Sequence, residues 1–137
     1  MAYYSKVAIE VGKNLKQKIE FALGEYWYES EGKAKDMPET FEEIFREGRA
    51  KIYYWSDVVW SLATRQIPNK IALILHEAAD VEDPYDLDNA YKFIRIGEND
   101  GDIQISYNDP GEYFFGELYP VTEINIPDNK TCQLPTP

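Results

Sequence analysis

YKFIRIGENDGDIQISY, residues 91–107, decides the fold. YKFIRIG (91–97) alternates apolar and polar side chains, and so does DIQISY (102–107). The ENDG between them holds an Asp-Gly pair, a signal for a tight turn between antiparallel strands. A hairpin in the second half of the chain points to a mainly antiparallel sheet.

Upstream, IPNKIALILHEAAD (67–80) has helical periodicity with Pro68 or Asn69 near its start. Before it, AKIYYWSDVVW (50–60) is apolar on both faces and reads as a central strand, broken or bent at Ser56–Asp57. A short helix is expected from Asp36 or Met37, with Pro38 in its first turn, Phe41, Ile44 and Phe45 on one face and Gly48 as its C-cap. SEGKAKD (30–36) reads as a loop. Leu15, Ile19, Ala22, Leu23 and Tyr26 predict a helix over 14–29 with Asn14 as N-cap, although Gly24 costs it about 1 kcal/mol relative to alanine. KVAIEV (6–11) alternates as a strand. Downstream, NDPG (108–111) reads as a second turn. EYFFGELYPVTEINI (112–126) supplies one or two further strands, with an edge or bend at Pro120. The order β-α-α-β-α-β-β-β predicts an α+β two-layer domain over 1–126, a mainly antiparallel sheet with helices packed on one face. A ferredoxin-like arrangement is one way to connect it. Residues 127–137 read as a loose C-terminal tail.

A chain of 137 residues that is 44% apolar can bury a single core. The longest apolar run, IALIL at 71–75, is too short to span a bilayer, and the N-terminus lacks the pattern of a signal peptide. Cys132, the single cysteine, cannot form an internal disulfide and is read as a bland thiol. These features predict a cytoplasmic protein.

Charge is distributed unevenly. Residues 1–70 carry eleven Lys/Arg and eleven Asp/Glu; residues 71–137 carry three and fourteen, so the whole balance of −11 lies in the second half. Such a surface disfavours direct binding to nucleic acid or to an anionic membrane. It suits a basic partner.

No motif identifies a reaction, and the reading is of a non-enzyme. His76 is the only histidine, and the HExxH pattern fails because position 80 is Asp. No metal or other cofactor is expected. Glu98, Asp100 and Asp102 around Gly101 lack EF-hand spacing and read as turn residues. Trp55 and Trp60 read as core residues, or as one buried and one on a contact surface.

The acidic run DVEDPYDLDN (80–89) remains. Asp80, Glu82, Asp83, Asp86 and Asp88 follow a helix C-terminus, where the helix dipole disfavours anions, so local folding does not ask for them. If this run shares an end of the sheet with Asp109 and Glu112, the two form one acidic rim with Tyr85 as an aromatic anchor. Carboxylates on such a rim can stand where the phosphates of a nucleic acid would.

YYWSDVVW (53–60) and KFIRIGEND (92–100) resemble segments of small acidic uncharacterised bacteriophage proteins. The resemblance implies a phage accessory protein acting on host machinery or host defence, and it implies no activity. The leading expectation is therefore an acidic inhibitor of a basic nucleic-acid-binding host protein, of anti-CRISPR or anti-restriction type, working as a DNA mimic. An immunity protein of a nuclease toxin is a close variant. A second reading is a sponge for a nucleotide signal in an aromatic-lined pocket, with Arg46, Arg49, Lys51 or Arg95 at the site. A third is a solvated acidic domain with a structural role or a dimerising one, a homodimer through a self-complementary face of exposed tyrosines.

Overall fold

The computed structural model describes residues 2–29, 37–120, 124–125 and 131–133. Strand β1 (Ser5–Gly12) runs through the middle of the sheet and is buried on both faces. Both faces carry apolar side chains, Val7, Ile9 and Val11 on one and Ala8 on the other, and the charged Glu10 is buried among them. Helix α1 (Lys13–Glu29) follows without a loop. Its Leu15, Ile19, Ala22 and Leu23 form one buried stripe at helical spacing. The helix begins one residue before Asn14, whose side chain reaches Asn89 instead (Nδ2 to Oδ1, 3.2 Å).

β2 (Glu39–Phe45) and β3 (Gly48–Val58) form a hairpin around Arg46 and Glu47. The helix expected over this stretch is therefore a strand. The reason lies in the spacing. Residues four apart share a face in either conformation, so Phe41 and Phe45 cannot distinguish them. Ile44, which a helix would put on the same face as them, is 72% exposed on the opposite side of the strand. Pairing with β3, Phe41 opposite Ile52 and Thr40 opposite Tyr53, overrides local helix propensity. Gly48 (φ 149°) opens β3 after the turn rather than capping a helix.

β3 bends where expected. Between the pairs Ser5–Val58 and Val7–Trp55 it spends three residues against two on β1, a bulge at the exposed Ser56 and Asp57. Helix α2 (Gln66–Glu77) returns along the sheet and leads through residues 78–90, which include a 3-10 turn (Leu87–Asn89), into β4 (Tyr91–Gly97). β4 pairs with β1 on one side and with β5 (Ile103–Tyr107) on the other. The hairpin read from 91–107 is present, with Gly101 (φ 78°) in its turn.

NDPG is not a plain turn. Asn108 caps helix α3 (Asp109–Phe114), with Pro110 in its first turn. Two short strands, β6 (Tyr119–Pro120) and β7 (Ile124–Asn125), pair with each other. β8 (Thr131–Gln133), within the stretch read as a loose tail, pairs with β2 and places Cys132 opposite Phe41. Residues 30–36, read from sequence as a loop, and the other residues of the tail lie outside the described residues.

The sheet order is β5-β4-β1-β3-β2, all antiparallel, with β8 added at the β2 edge. The order β1-α1-β2-β3-α2-β4 over strands 4-1-3-2 is the ferredoxin-like split β-α-β topology in an α+β two-layer domain. On the first face, Val7, Ile9, Val11, Tyr53, Trp55, Tyr91 and Phe93 meet α1 and α2. On the second, Ala8, Ile52 and Ile94 lie beneath Leu118 and Ile124. No helix is long and apolar enough to cross a membrane among the described residues.

Candidate acidic docking surface

β1, the β2–β3 hairpin turn, the C-terminus of α2 and the start of β4 fix one end of the sheet, where Gly12 donates its backbone N–H to Ala90 O at 3.0 Å. A Cβ on Gly12 would overlap the Leu87 carbonyl, so only glycine lets the 3-10 turn approach this closely. The acidic run lies across this end.

One buried side chain joins its parts. Asn108 is 4% exposed. Its Nδ2 donates to Ala78 O (2.9 Å), just past α2, and to Asn89 O (2.8 Å), at the end of the acidic run. Its Oδ1 accepts from Tyr91 N (3.1 Å), at the start of β4, and from Gly111 N (2.9 Å), in the first turn of α3. All four hydrogen-bonding positions of the amide are therefore used. Residues 80–88 and 109–112, separate in sequence, are thereby brought to the same end.

Asp80, Glu82, Asp83, Asp88, Asp109 and Glu112 are exposed, and Asp86 is half-buried. Two of them have structural duties, which corrects the expectation that local folding does not ask for these acids. Asp83 Oδ1 accepts from Tyr85 N at 2.9 Å, an Asx turn. Asp86 Oδ2 accepts from Asn89 Nδ2 at 2.8 Å. Asp109 and Glu112 occupy the first turn of α3, where the helix N-terminus favours anions. Lys92 lies close by and is half-buried, donating to Phe115 O at 3.3 Å. Burial lowers its pKa, while Glu10 and Glu112 act in the opposite direction.

The Tyr85 ring stands edge-on to Tyr113 with centroids 4.8 Å apart, and Tyr113 stands edge-on to Phe114 at 4.9 Å. Both tyrosines keep more than 60% of their surface exposed. Packing holds the rings in place while leaving them open to contact. Sequence reading found Tyr85 and missed Tyr113. Reading Asn108 as an N-cap with Pro110 behind it would have signalled the helix that carries Tyr113.

The other acidic turn lies at the opposite end of the sheet. Glu98 Oε1 accepts from Tyr4 N at 2.7 Å, and Asp102 is held by Arg95 (2.7 Å) and by the Tyr3 hydroxyl (2.6 Å). Of the cations named for a nucleotide site, Arg46, Arg49 and Lys51 belong to the β2–β3 hairpin and Arg95 to β4, and most are engaged. Arg49 pairs with Glu42 (3.2 Å), Lys51 with Glu20 (3.4 Å) and Arg95 with Asp102, while Arg46 is exposed in the β2–β3 turn. Trp55 is buried and Trp60 half-buried, their rings 5.2 Å apart. His76 is exposed in the last turn of α2. No family model, curated protein or solved structure matches the chain.

Proposed function

We propose that this chain is a non-enzymatic binding protein whose acidic end docks on a basic, nucleic-acid-binding partner. One observation carries the reading: seven carboxylates and an edge-to-face tyrosine pair lie at one end of the sheet. Exposed carboxylates offer a basic groove the charge it evolved to meet in phosphates, and their field speeds encounter. Tyr85 and Tyr113 supply the rigid aromatic contact that charge alone lacks. With the resemblance to bacteriophage proteins, the partner is a host nuclease or defence complex, and the chain blocks its nucleic-acid groove.

The test is capture from cytoplasmic extract at low salt, with and without competing duplex DNA, using the chain and its Glu82→Lys/Asp88→Lys variant. Neither substituted residue makes a hydrogen bond that shapes the loop among the described residues. A basic nucleic-acid-binding protein is retained by the unaltered chain, released by high salt or by DNA, and lost with the double reversal. Capture that ignores DNA and survives the reversal refutes the proposal.

A further inference from the structure

A cleft of about 570 Å³ opens on the first face of the sheet, between α2 and the β4–β5 hairpin. It follows from the topology. Two helices, each roughly 10 Å wide, cover about four strands spaced about 4.8 Å apart. β5 is the outermost strand on its side, beyond the reach of that layer.

The walls differ in chemistry. Ile71, Leu75, Tyr91, Phe93 and Trp60 make the apolar side, while Gln104 and Ser106 of β5 and His76 of α2 carry polar groups. Trp60 is held by its neighbours, 5.2 Å from Trp55 and 5.8 Å from Phe93, and keeps part of its surface exposed. A ring stacking there meets a side chain that is already ordered, so little rotamer entropy is lost on binding.

Arg95, the one basic side chain of the lining besides His76, is committed. It donates to both Asp102 oxygens (2.7 and 3.1 Å), to Ser5 Oγ (3.2 Å) and to Gln104 Oε1 (3.2 Å). Its charge is matched by Asp102 and four of its five N–H donors are in use, so a phosphate would have to break an ion pair to enter. The Gln104 amide nitrogen, by contrast, makes no hydrogen bond among the described residues.

We infer that this cleft binds an uncharged planar heteroaromatic ligand of nucleobase or nucleoside size. The ring stacks on Trp60 over the Tyr91–Phe93 floor, and its polar edge meets Gln104, Ser106 and His76. The size and mixed lining are those of small-molecule sites. The inference does not rest on the acidic end.

The probes are adenosine, guanosine, cytidine and uridine, each titrated calorimetrically against the folded chain, followed by the 5′-monophosphate of the tightest. At least one nucleoside binds saturably, and its monophosphate binds no more tightly. Trp60→Leu weakens binding roughly tenfold or more through lost stacking. Ala72→Phe, which fills the cleft from α2 without removing a core side chain, does the same and keeps the test valid if Trp60→Leu fails to fold. The inference is overturned if no nucleoside binds, if the monophosphate binds much more tightly, or if the folded Ala72→Phe variant binds as well as the unaltered chain.

Discussion

Replacing Asn108 tests how the acidic end is assembled. Asn108→Ala removes four hydrogen bonds and leaves two carbonyls and two amides of a buried junction without their partner. At about 1 kcal/mol net for each bond, the loss comes to about 4 kcal/mol. For a domain whose whole stability is about 5–15 kcal/mol, that is a large fraction. The assay is urea unfolding followed by tryptophan fluorescence, with an unchanged slope confirming the same two states. Asn108→Asp sharpens the test. It keeps the oxygen that accepts from Tyr91 N and Gly111 N but turns a carboxylate oxygen toward the Ala78 and Asn89 carbonyls. That geometry, among seven other carboxylates, favours the protonated form and raises the folded-state pKa above the unfolded value of about 3.9. The stability from this carboxyl is therefore fully present below the unfolded value and is lost as pH rises through the raised folded one. Asn108→Asp should lose ground against Asn108→Ala between about pH 4 and pH 7. A loss below about 1 kcal/mol in Asn108→Ala, or a pH-independent gap between the two variants, refutes the junction as drawn.

Other outcomes follow from single contacts. Gly12→Ala forces a Cβ onto the Leu87 backbone and destabilises by roughly 1–3 kcal/mol. Gly24→Ala, with open space around it in α1, stabilises by about 0.5–1 kcal/mol; chemical denaturation of the pair reads both signs. Asp102 has its pKa lowered by hydrogen bonds from Arg95 and Tyr3, so its contribution is present above the ordinary carboxylate range and is lost as pH falls through the lowered value. Asp102→Asn should therefore destabilise at neutral pH and approach the unaltered chain in acid, as thermal melts at both pH values would report. Asp88 borders a hollow lined by Lys13, Lys16, Arg49 and Lys51, so Asp88→Lys adds repulsion there, whereas Glu82→Lys alone relieves it and should melt no lower than the unaltered chain; weakened capture by that single variant is then a docking defect and not a folding one.

The parts of the fold legible from sequence were those with one dominant period. β1, α1, β3, α2 and the β4–β5 hairpin lie where alternation or helical spacing puts them. β2 was misread because Phe41 and Phe45 satisfy both periods and its partner strand settles the choice. α3 was missed because a cap and a turn begin with the same residues, Asn-Asp-Pro-Gly. β8 carries too little pattern in three residues, and pairing with β2 defines it. The acidic residues are visible from composition alone, whereas their convergence depends on Asn108, which the sequence pattern puts in a plain turn. The cleft was invisible because it arises where the helix layer ends.

Gathering anions from two segments under one amide has a consequence for ionic strength. Their mutual repulsion works against closing the junction, while their attraction for a basic partner works in favour of the complex. Both forces act between solvent-facing charges and fade over the same screening length, about 8 Å in physiological salt. Adding salt should thus raise the melting temperature of the isolated chain while weakening its complex, chiefly by slowing association. The concentration at which the protein is most robust would then differ from the one at which it holds its partner best.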